Sequence, residues 1–344
     1  MQENSLNVNG QLLIEKYGGS KYPVQKKINL NRTFIMKKKI RLALLAGGRS
    51  GEREVSLKGA EEVAKALDPE KYTVRRYDPA TDLAKLAAEA DSLDAAFILL
   101  HGPFGEDGTM QGFLDLLDLP YQGSGVLGSA IAMDKNLSKI LYRNAGLKVP
   151  DWHMASKKDI DNPSKILGLL GLPLVIKPSR QGSSLGMTIA RSEDDIGAGL
   201  QKAFTIDSQV MVEEYIAGRE ITGGVIGNEE LKALPLVEII PGEQYEFFNF
   251  EAKYQPGATT EICPAELEEP LSIRARHCAI AAHHALQLRG YSRTDMIISN
   301  DDIYVLETNT IPGMTPTSLL PQAAAAAGLD FGALLDRLIE LALE

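Results

Sequence analysis

The segment from Arg293 to Met314 limits the possible folds more than any other part of the chain, because its polar residues recur at the spacing of a β-hairpin. Asp295 runs into the apolar stretch Met296-Ile297-Ile298, Asn300-Asp301-Asp302 supplies a turn, and Ile303-Tyr304-Val305-Leu306 reads as the return strand. Glu307 and Asn309 then fall on alternate residues, which puts them on one face of that strand. Arg293 adds a fixed cation. Carboxylates and an amide oxygen gathered in this way suit Mg²⁺, a hard cation that keeps positions open for phosphate oxygens. An acidic hairpin closed by a structural salt bridge would use the same residues, so the rest of the chain has to decide between the two.

With 344 residues, 44% of them hydrophobic and 24% charged, the chain can form two or three domains with substantial cores. A net charge of -10 argues against a nucleic-acid partner or an anionic membrane, both of which need an extended basic face. Local lysines can still bind a single nucleotide. Cys263 and Cys278 form neither a disulfide framework nor a metal-binding spacing, and as small buried hydrophobes they fit a reducing cytoplasm. Residues 1–36 are polar and unpatterned and read as a poorly ordered tail without a signal-peptide block. Met36-Lys37-Lys38-Lys39 followed by a strand looks like a natural beginning. No stretch approaches the roughly 20 apolar residues of a membrane span.

Ile40 to Leu45 reads as a buried strand, Ala46-Gly47-Gly48 as a turn, and Val55, Gly59, Val63 and Leu67 as the inner face of a helix. Tyr72-Thr73-Val74 and Ala95 to Leu100 add strands, the latter ending at His101-Gly102. Residues 37–134 are therefore expected to form an open parallel α/β domain, with functional loops at the carboxyl ends of its strands. Beyond Asp134 the pattern is hairpin-like. A helix runs to Ala145, and strands follow at Leu172–Lys177, Met187–Ala190 and Gln209–Glu213. A long antiparallel pair covers Glu220–Ile226 and Leu231–Ile240, and a helix from Ser272 to Leu288 stops at Gly290. Ala323–Ala327 reads as a helix start, and Phe331–Leu343 as a closing amphipathic helix. Division at 135–220 and 221–344 completes the expected organisation.

Three further constellations bear on chemistry. The loop from Lys177 to Met187, with Gly182, Ser183, Ser184 and Gly186 at its tip, offers backbone N–H groups, hydroxyls and one lysine to an anion, although a surface hairpin has similar composition. Lys135 and Lys177 on separate elements can clamp a polyphosphate, while Glu213, Ile216 and Glu220 can meet a purine and a ribose diol. Gly47-Gly48-Arg49-Ser50-Gly51-Glu52 is a glycine turn entering a helix, an anion site by geometry. Glu52 brings negative charge there, which favours a zwitterion with its ammonium on the carboxylate; as a plain alternative, Glu52 and Glu54 only complement the helix dipole.

Read together, Gly47-Gly48-x-Ser50-x-Glu52-Arg53-Glu54-Val55-Ser56, His101-Gly102-x-x-Gly105-Glu106-Asp107-Gly108, Lys177-Pro178-x-Arg180-x-Gly182-Ser183-Ser184, Glu251-Ala252-Lys253-Tyr254, Arg293-x-Asp295 and Glu307-x-Asn309-x-x-Pro312-Gly313-Met314 resemble the D-alanine–D-alanine ligase family. The likeness runs in order from about residue 38 to the end. It implies an ATP-grasp fold: an N-terminal α/β domain, then two α+β subdomains holding ATP between antiparallel sheets. It also implies ATP contacts from Lys135, Lys177, Ser184, Glu213, Ile216, Glu220 and Lys253. Two Mg²⁺, replaceable by Mn²⁺, would sit on Asp295, Glu307 and Asn309. Glu52, Val55 and His101 would receive the first D-alanine, Ser318 and Leu319 the second, and Arg293 and Gly313 the oxyanion. Glu52, Ser183 and Tyr254 match a hydrogen-bonded triad, and a homodimer in the cytoplasm is the implied state. The tail and Phe104 in the His101 loop are unusual.

The chemistry is coherent apart from the resemblance. A carboxylate must become an acyl phosphate before an amine can displace it, and charge on the transferred phosphoryl group has to be neutralised. An arginine and a backbone N–H suit the tetrahedral oxyanion that follows. Acyl phosphates hydrolyse readily, so the loops at 178–186 and 243–258 are expected to act as lids. Tyr254 preceded by Lys253 accompanies dipeptide formation in the family, which makes D-alanine the expected acceptor. Three other readings compete with this one: a D-alanyl–D-lactate or other ATP-grasp ligase, a non-catalytic nucleotide-binding regulator, and a dinucleotide dehydrogenase. The last fails because no G-x-G-x-x-G opens the helix.

Overall fold

A computed structural model describes residues 38–242, 257 and 259–344. The expected tail at 1–36, the motif Glu251-Ala252-Lys253-Tyr254 and most of the second expected lid lie outside those residues.

Near the N-terminus, β1 (Ile40–Leu45), α1 (Arg53–Ala66), β2 (Tyr72–Tyr77), α2 (Leu83–Glu89) and β3 (Ala95–Ile98) alternate. The three strands pair in parallel in the order β2-β1-β3, as the run of strand, glycine turn and helix predicted. Leu42 to Leu45 and Ala95 to Ile98 are buried on both faces, the usual state of a strand covered by helices on each side. Three helices follow: α3 (Thr109–Asp115), α4 (Val126–Met133) and α5 (Lys135–Asn144). Asp134 caps α5, its Oδ1 accepting from the N–H groups of Asn136 and Leu137 at 3.1 Å each.

The next four strands are β4 (Trp152–Ala155), β5 (Leu174–Pro178), β6 (Thr188–Ala190) and β7 (Val210–Glu214), with α6 (Pro163–Leu170) and α7 (Glu193–Phe204) between them. They form an antiparallel sheet in the order β4-β7-β5-β6. Alternation decides which residues meet a ligand. Leu174, Ile176, Val210 and Val212 pack under α6 and α7 with Ile166, Ile196 and Leu200. Val175, Lys177 and Glu213 point to the opposite face.

A larger antiparallel sheet has the order β11-β10-β8-β12-β13, with β9 also paired to β8. Its strands are β8 (Arg219–Gly227), β9 (Lys232–Ala233), β10 (Val237–Pro241), β11 (Thr259–Ile262), β12 (Gly290–Ser299) and β13 (Asp302–Asn309). The expected partner strand at 231–240 is thus two strands, separated at Leu234-Pro235-Leu236, where Pro235 has no N–H for the ladder. Before β12 lies α8 (Glu269–Ala285), which ends earlier than expected: Gln287, at φ +55, takes the left-handed position assigned from sequence to Gly290. Gly290 opens β12 instead, where a Cβ would come within 3.0 Å of the Gly123 backbone. The last helices are α9 (Leu319–Ala326) and α10 (Phe331–Leu343). Ala323 to Ala327 therefore end α9, which starts behind Ser318, while α10 spans the expected residues. Leu334, Leu335 and Leu338 of α10 share a core with Leu42, Leu44 and Phe97 of the parallel sheet.

The opening hairpin is tighter than read. Only Asn300 and Asp301 make the turn, at φ +47 and +68, the backbone of a type I′ hairpin that asparagine and aspartate tolerate. A second difference matters more. Ile303, Val305, Glu307 and Asn309 share parity, so a regular strand would put all four on one face. The register shifts between Asp295 and Met296, pairing Met296 with Val305 but Asp295 with Glu307. Leu306 is the extra residue of a β-bulge. Ile303 and Val305 consequently pack on the α8 side, while Glu307 and Asn309 turn to the other face opposite Asp295 and Arg293.

Candidate active site

The two antiparallel sheets bound one cavity. Lys177, Val175, Ile189, Glu213 and Glu214 line it from the smaller sheet, Glu220, Asp295, Ile297, Leu306 and Glu307 from the larger one, and Tyr215 and Ile216 from the connection between them. Lys135, Gln181 and Ser184 complete the polar lining. Two consecutive residues of β13, Leu306 and Glu307, both reach the cavity because of the bulge.

Each lysine in this cavity is held by a carboxylate. Lys135 Nζ lies 3.0 Å from Glu307 and donates to the carbonyl of Gln181 at 2.8 Å. Lys177 Nζ lies 2.5 Å from one oxygen of Glu213, and the fully buried Lys139 lies 2.8 Å from the other. Burial pushes the Glu213 pKa up, but the two ammonium groups outweigh it and hold it below the ordinary glutamate value. The loop after Lys177 is anchored at its base, where Arg180 pairs with the α5 cap Asp134 at 2.8 Å. At its tip Ser183 and Ser184 adopt φ +53 and +56, a left-handed conformation that costs non-glycine residues roughly 1–2 kcal/mol and collects at functional loops.

The hairpin brings its four predicted residues together. Arg293 Nε and Nη2 donate to Asp295 Oδ1 and Oδ2 at 2.9 and 2.8 Å, Thr222 donates to Oδ1 at 2.7 Å, and Asn309 Nδ2 reaches Oδ2 at 3.1 Å. The arginine and the first carboxylate are thus a bidentate pair, while Lys135 stands on the second carboxylate. Among the described residues no cluster of three His, Cys, Asp or Glu side chains is formed. Two carboxylates opposite each other and a neighbouring amide are nevertheless an all-oxygen donor set, which fits Mg²⁺ or Mn²⁺ and not a soft metal.

A second group of residues gathers at the carboxyl ends of β1 and β3. Arg53 donates to the Gly48 carbonyl at 2.8 Å and pairs with Asp78 at 2.6 Å, which fixes the glycine turn and lowers the Asp78 pKa to about 2. Ser56 accepts from the Gly47 N–H at 2.8 Å and donates to the Leu99 carbonyl at 2.5 Å, tying α1 to both strand ends. Glu52, at the N-cap of α1, is buried and accepts a hydrogen bond from Ser183 Oγ, 131 residues away. Gly102 faces it, since a Cβ there would come 3.0 Å from Glu52 Oε2. Burial depresses the His101 pKa against the opposing pull of Glu52, leaving a neutral imidazole. Val55 lies one turn into α1, half-buried, and Gly59 one turn further packs on the backbone of Met314. Gly313 closes over Ser318, whose Oγ would be 3.0 Å from a Cβ, and Leu319 begins α9 from within the core. Phe104, at φ +70, is exposed.

Glu106 and Lys139 escaped the sequence reading. Glu106 accepts from the Gly102 N–H at 2.8 Å and the Ile311 N–H at 3.3 Å, joining the His101 loop to the segment before Gly313. Burial and the nearby Glu52 push its pKa to about 8. Its place in the Gly105-Glu106-Asp107-Gly108 motif was the only signal. Lys139 had a weaker one, its i, i+4, i+7 spacing with Lys135 and Tyr142 along α5.

A parallel α/β unit followed by two antiparallel sheets that close on a cavity lined by lysines and carboxylates defines the ATP-grasp class. The sequence matches the family description "D-ala D-ala ligase C-terminus" over residues 141–340 and "D-ala D-ala ligase N-terminus" over 77–124. It is 57% identical over 306 residues to a D-alanine–D-alanine ligase of Syntrophobacter fumaroxidans, covering 89% of this chain and 98% of that one. Identity to the Desulfotalea psychrophila ligase is 59% over 308 residues, 89% and 96% of the two chains. A solved D-alanine–D-alanine ligase from Bacillus anthracis, complexed with ATP, superposes with a TM-score of 0.76 at 37% identity over 88% of this chain and 97% of that one. The chain belongs to the D-alanine–D-alanine ligase family.

Proposed function

We propose that the protein joins two D-alanines at the expense of ATP, giving D-alanyl-D-alanine, ADP and phosphate through a D-alanyl phosphate. The carrying observation is the Glu52–Ser183 contact, which brings the ammonium-compatible end of α1 to the tip of the loop that borders the lysine-lined cavity. On this reading Lys135, Lys177 and Ser184 hold the polyphosphate, Glu213 and Ile216 the adenine, and Glu220 the ribose. Lys253 would join the nucleotide contacts and Tyr254 the Glu52–Ser183 pair. Two Mg²⁺ or Mn²⁺, held by Asp295, Glu307 and Asn309, would neutralise charge on the transferred phosphoryl group.

Glu52 takes the ammonium of the first D-alanine beside Val55 and His101, leaving its carboxylate to attack the γ-phosphorus. The amine of the second D-alanine, its carboxylate held at Ser318 and Leu319, then attacks the acyl carbon. Arg293 and the Gly313 N–H bind the oxyanion of the tetrahedral intermediate, which collapses with loss of phosphate. The loop at 178–186 keeps water from the acyl phosphate. The family resemblance supports domains at 37–134, 135–220 and 221–344, a homodimer, and a cytoplasmic site of action. The described helices include none long and apolar enough to cross a membrane.

ADP release coupled to dipeptide analysis tests the proposal with D-alanine, L-alanine and D-lactate as acceptors. D-alanine should give one dipeptide per ADP. Phosphate release that rises with D-lactate without matching dipeptide would reassign the acceptor, and no ADP formation with D-alanine and Mg²⁺ would favour a regulator. Glu307→Gln should lose about 100-fold or more in kcat, the scale of removing one electrostatic contact to a transition state. Full activity in that variant would remove Glu307 from the metal site.

A further inference from the structure

The face of α5 carrying Lys135, Lys139 and Tyr142 touches both walls of the cavity: Lys135 meets Glu307, Lys139 meets Glu213, and Tyr142 Oη donates to Thr308 at 2.7 Å. Lys135 lines the cavity, but Lys139 does not. It is fully buried, its ammonium 2.8 Å from Glu213 Oε2, 3.2 Å from the Pro150 carbonyl and 5.4 Å from the Trp152 ring centre. Burial lowers its pKa to about 8 against the pull of Glu213, so it remains mostly charged near neutrality. One carboxylate therefore serves two ammonium groups, one at the cavity wall and one beneath it.

A buried carboxylate stripped of its counter-ion is strongly unfavourable. If Lys177 were the sole partner of Glu213, turning Lys177 to a polyphosphate would leave that charge uncompensated. We infer that Lys139 is a positioning residue for nucleotide binding: as the permanent counter-ion of Glu213, it allows Lys177 to turn from Glu213 to the phosphates of ATP. The inference rests on the proposed ATP-dependent reading of the cavity. Lys139 acts through Glu213 and touches no substrate.

The test is a cycle of Lys139→Met, Glu213→Gln and the double variant, with Lys139→Arg as the conservative change, read as KM for ATP, KM for D-alanine and kcat. Lys139→Met should raise the KM for ATP about tenfold or more, leave the KM for D-alanine within about threefold, and be largely restored by Lys139→Arg. In the Glu213→Gln background the same change should add less than about threefold, because its route to the nucleotide is already cut. An unchanged KM for ATP, equal rises for ATP and D-alanine, or a full additional tenfold rise on Glu213→Gln would each overturn the inference. If circular dichroism shows Lys139→Met unfolded, the comparison of Glu213→Gln with the double variant decides alone. Should the wild-type protein release no ADP with D-alanine, the ligase reading fails, and calorimetric titration of the same variants with ADP decides about Lys139 separately.

Discussion

Glu213 and Glu106 are both buried carboxyls at the candidate site, yet the fold holds them in opposite charge states. Two lysines surround Glu213 and keep its pKa below the ordinary value. Glu106 has two backbone N–H donors but no cation pair among the described residues, stands near Glu52, and is pushed to about 8. Burial alone would drive both upward, so the sign is decided by which charges the neighbouring elements bring. The cavity between the antiparallel sheets is built as alternating lysine and carboxylate and can receive a polyanion by exchanging partners. The α1 side carries Glu52 and Glu106 with a neutral His101, an environment suited to a cationic amine.

The sharpest way to break this contrast is to neutralise the acidic side. Glu52→Gln should raise the KM for the first D-alanine by roughly 100-fold or more, the scale of losing a partly buried charged contact, with the KM for ATP within about threefold; equal effects on both substrates would show that Glu52 does not discriminate between the regions. Ser183→Ala removes one hydrogen bond to that carboxylate and should cost about tenfold in kcat/KM for D-alanine, consistent with about 1.5–3 kcal/mol for a bond to a charged group. An unchanged value would assign the contact to loop packing only.

The smallest expected effect sharpens the contrast most. Glu106 is protonated at neutral pH, so Glu106→Gln should leave activity at pH 7 within about threefold, as an isosteric exchange between two neutral groups. Stability should respond differently. The folded state retains a proton on Glu106 between the ordinary glutamate pKa of 4.5 and about 8, whereas the unfolded chain releases it, so stability falls as pH rises through that window. The glutamine variant should show a flatter fall in melting temperature from pH 5 to pH 8. A slope identical to wild type would mean that the carboxyl titrates normally.

Much of the architecture was readable because it follows local periodicity: the parallel strands, the closing helix and the hairpin carrying Asp295 and Glu307. Misplaced features were those that a single residue decides. Gln287 in the left-handed position displaced the expected glycine stop, and Pro235 divided a strand whose hydrophobic pattern is continuous. The site was legible through the motifs, but its long-range contacts were not. Glu52 meets Ser183 across 131 residues, and Lys139 looks like any helical lysine until β7 delivers Glu213 to it. Periodicity reports the face a residue occupies, while the identity of what lies opposite is a property of the tertiary fold.

The bulge at Leu306 changes how relatives of this hairpin should be compared. Side-chain identity at Asp295, Glu307 and Asn309 is insufficient, since parity with Ile303 and Val305 would otherwise carry Glu307 and Asn309 beneath α8. The number of residues between the Asn300-Asp301 turn and Glu307 is itself a determinant. A homologous chain that keeps every polar residue and this count but pairs without the bulge would preserve the motif in an alignment and present its carboxylate to the wrong side of the sheet, whereas one lacking the extra residue would reach the cavity side by plain alternation.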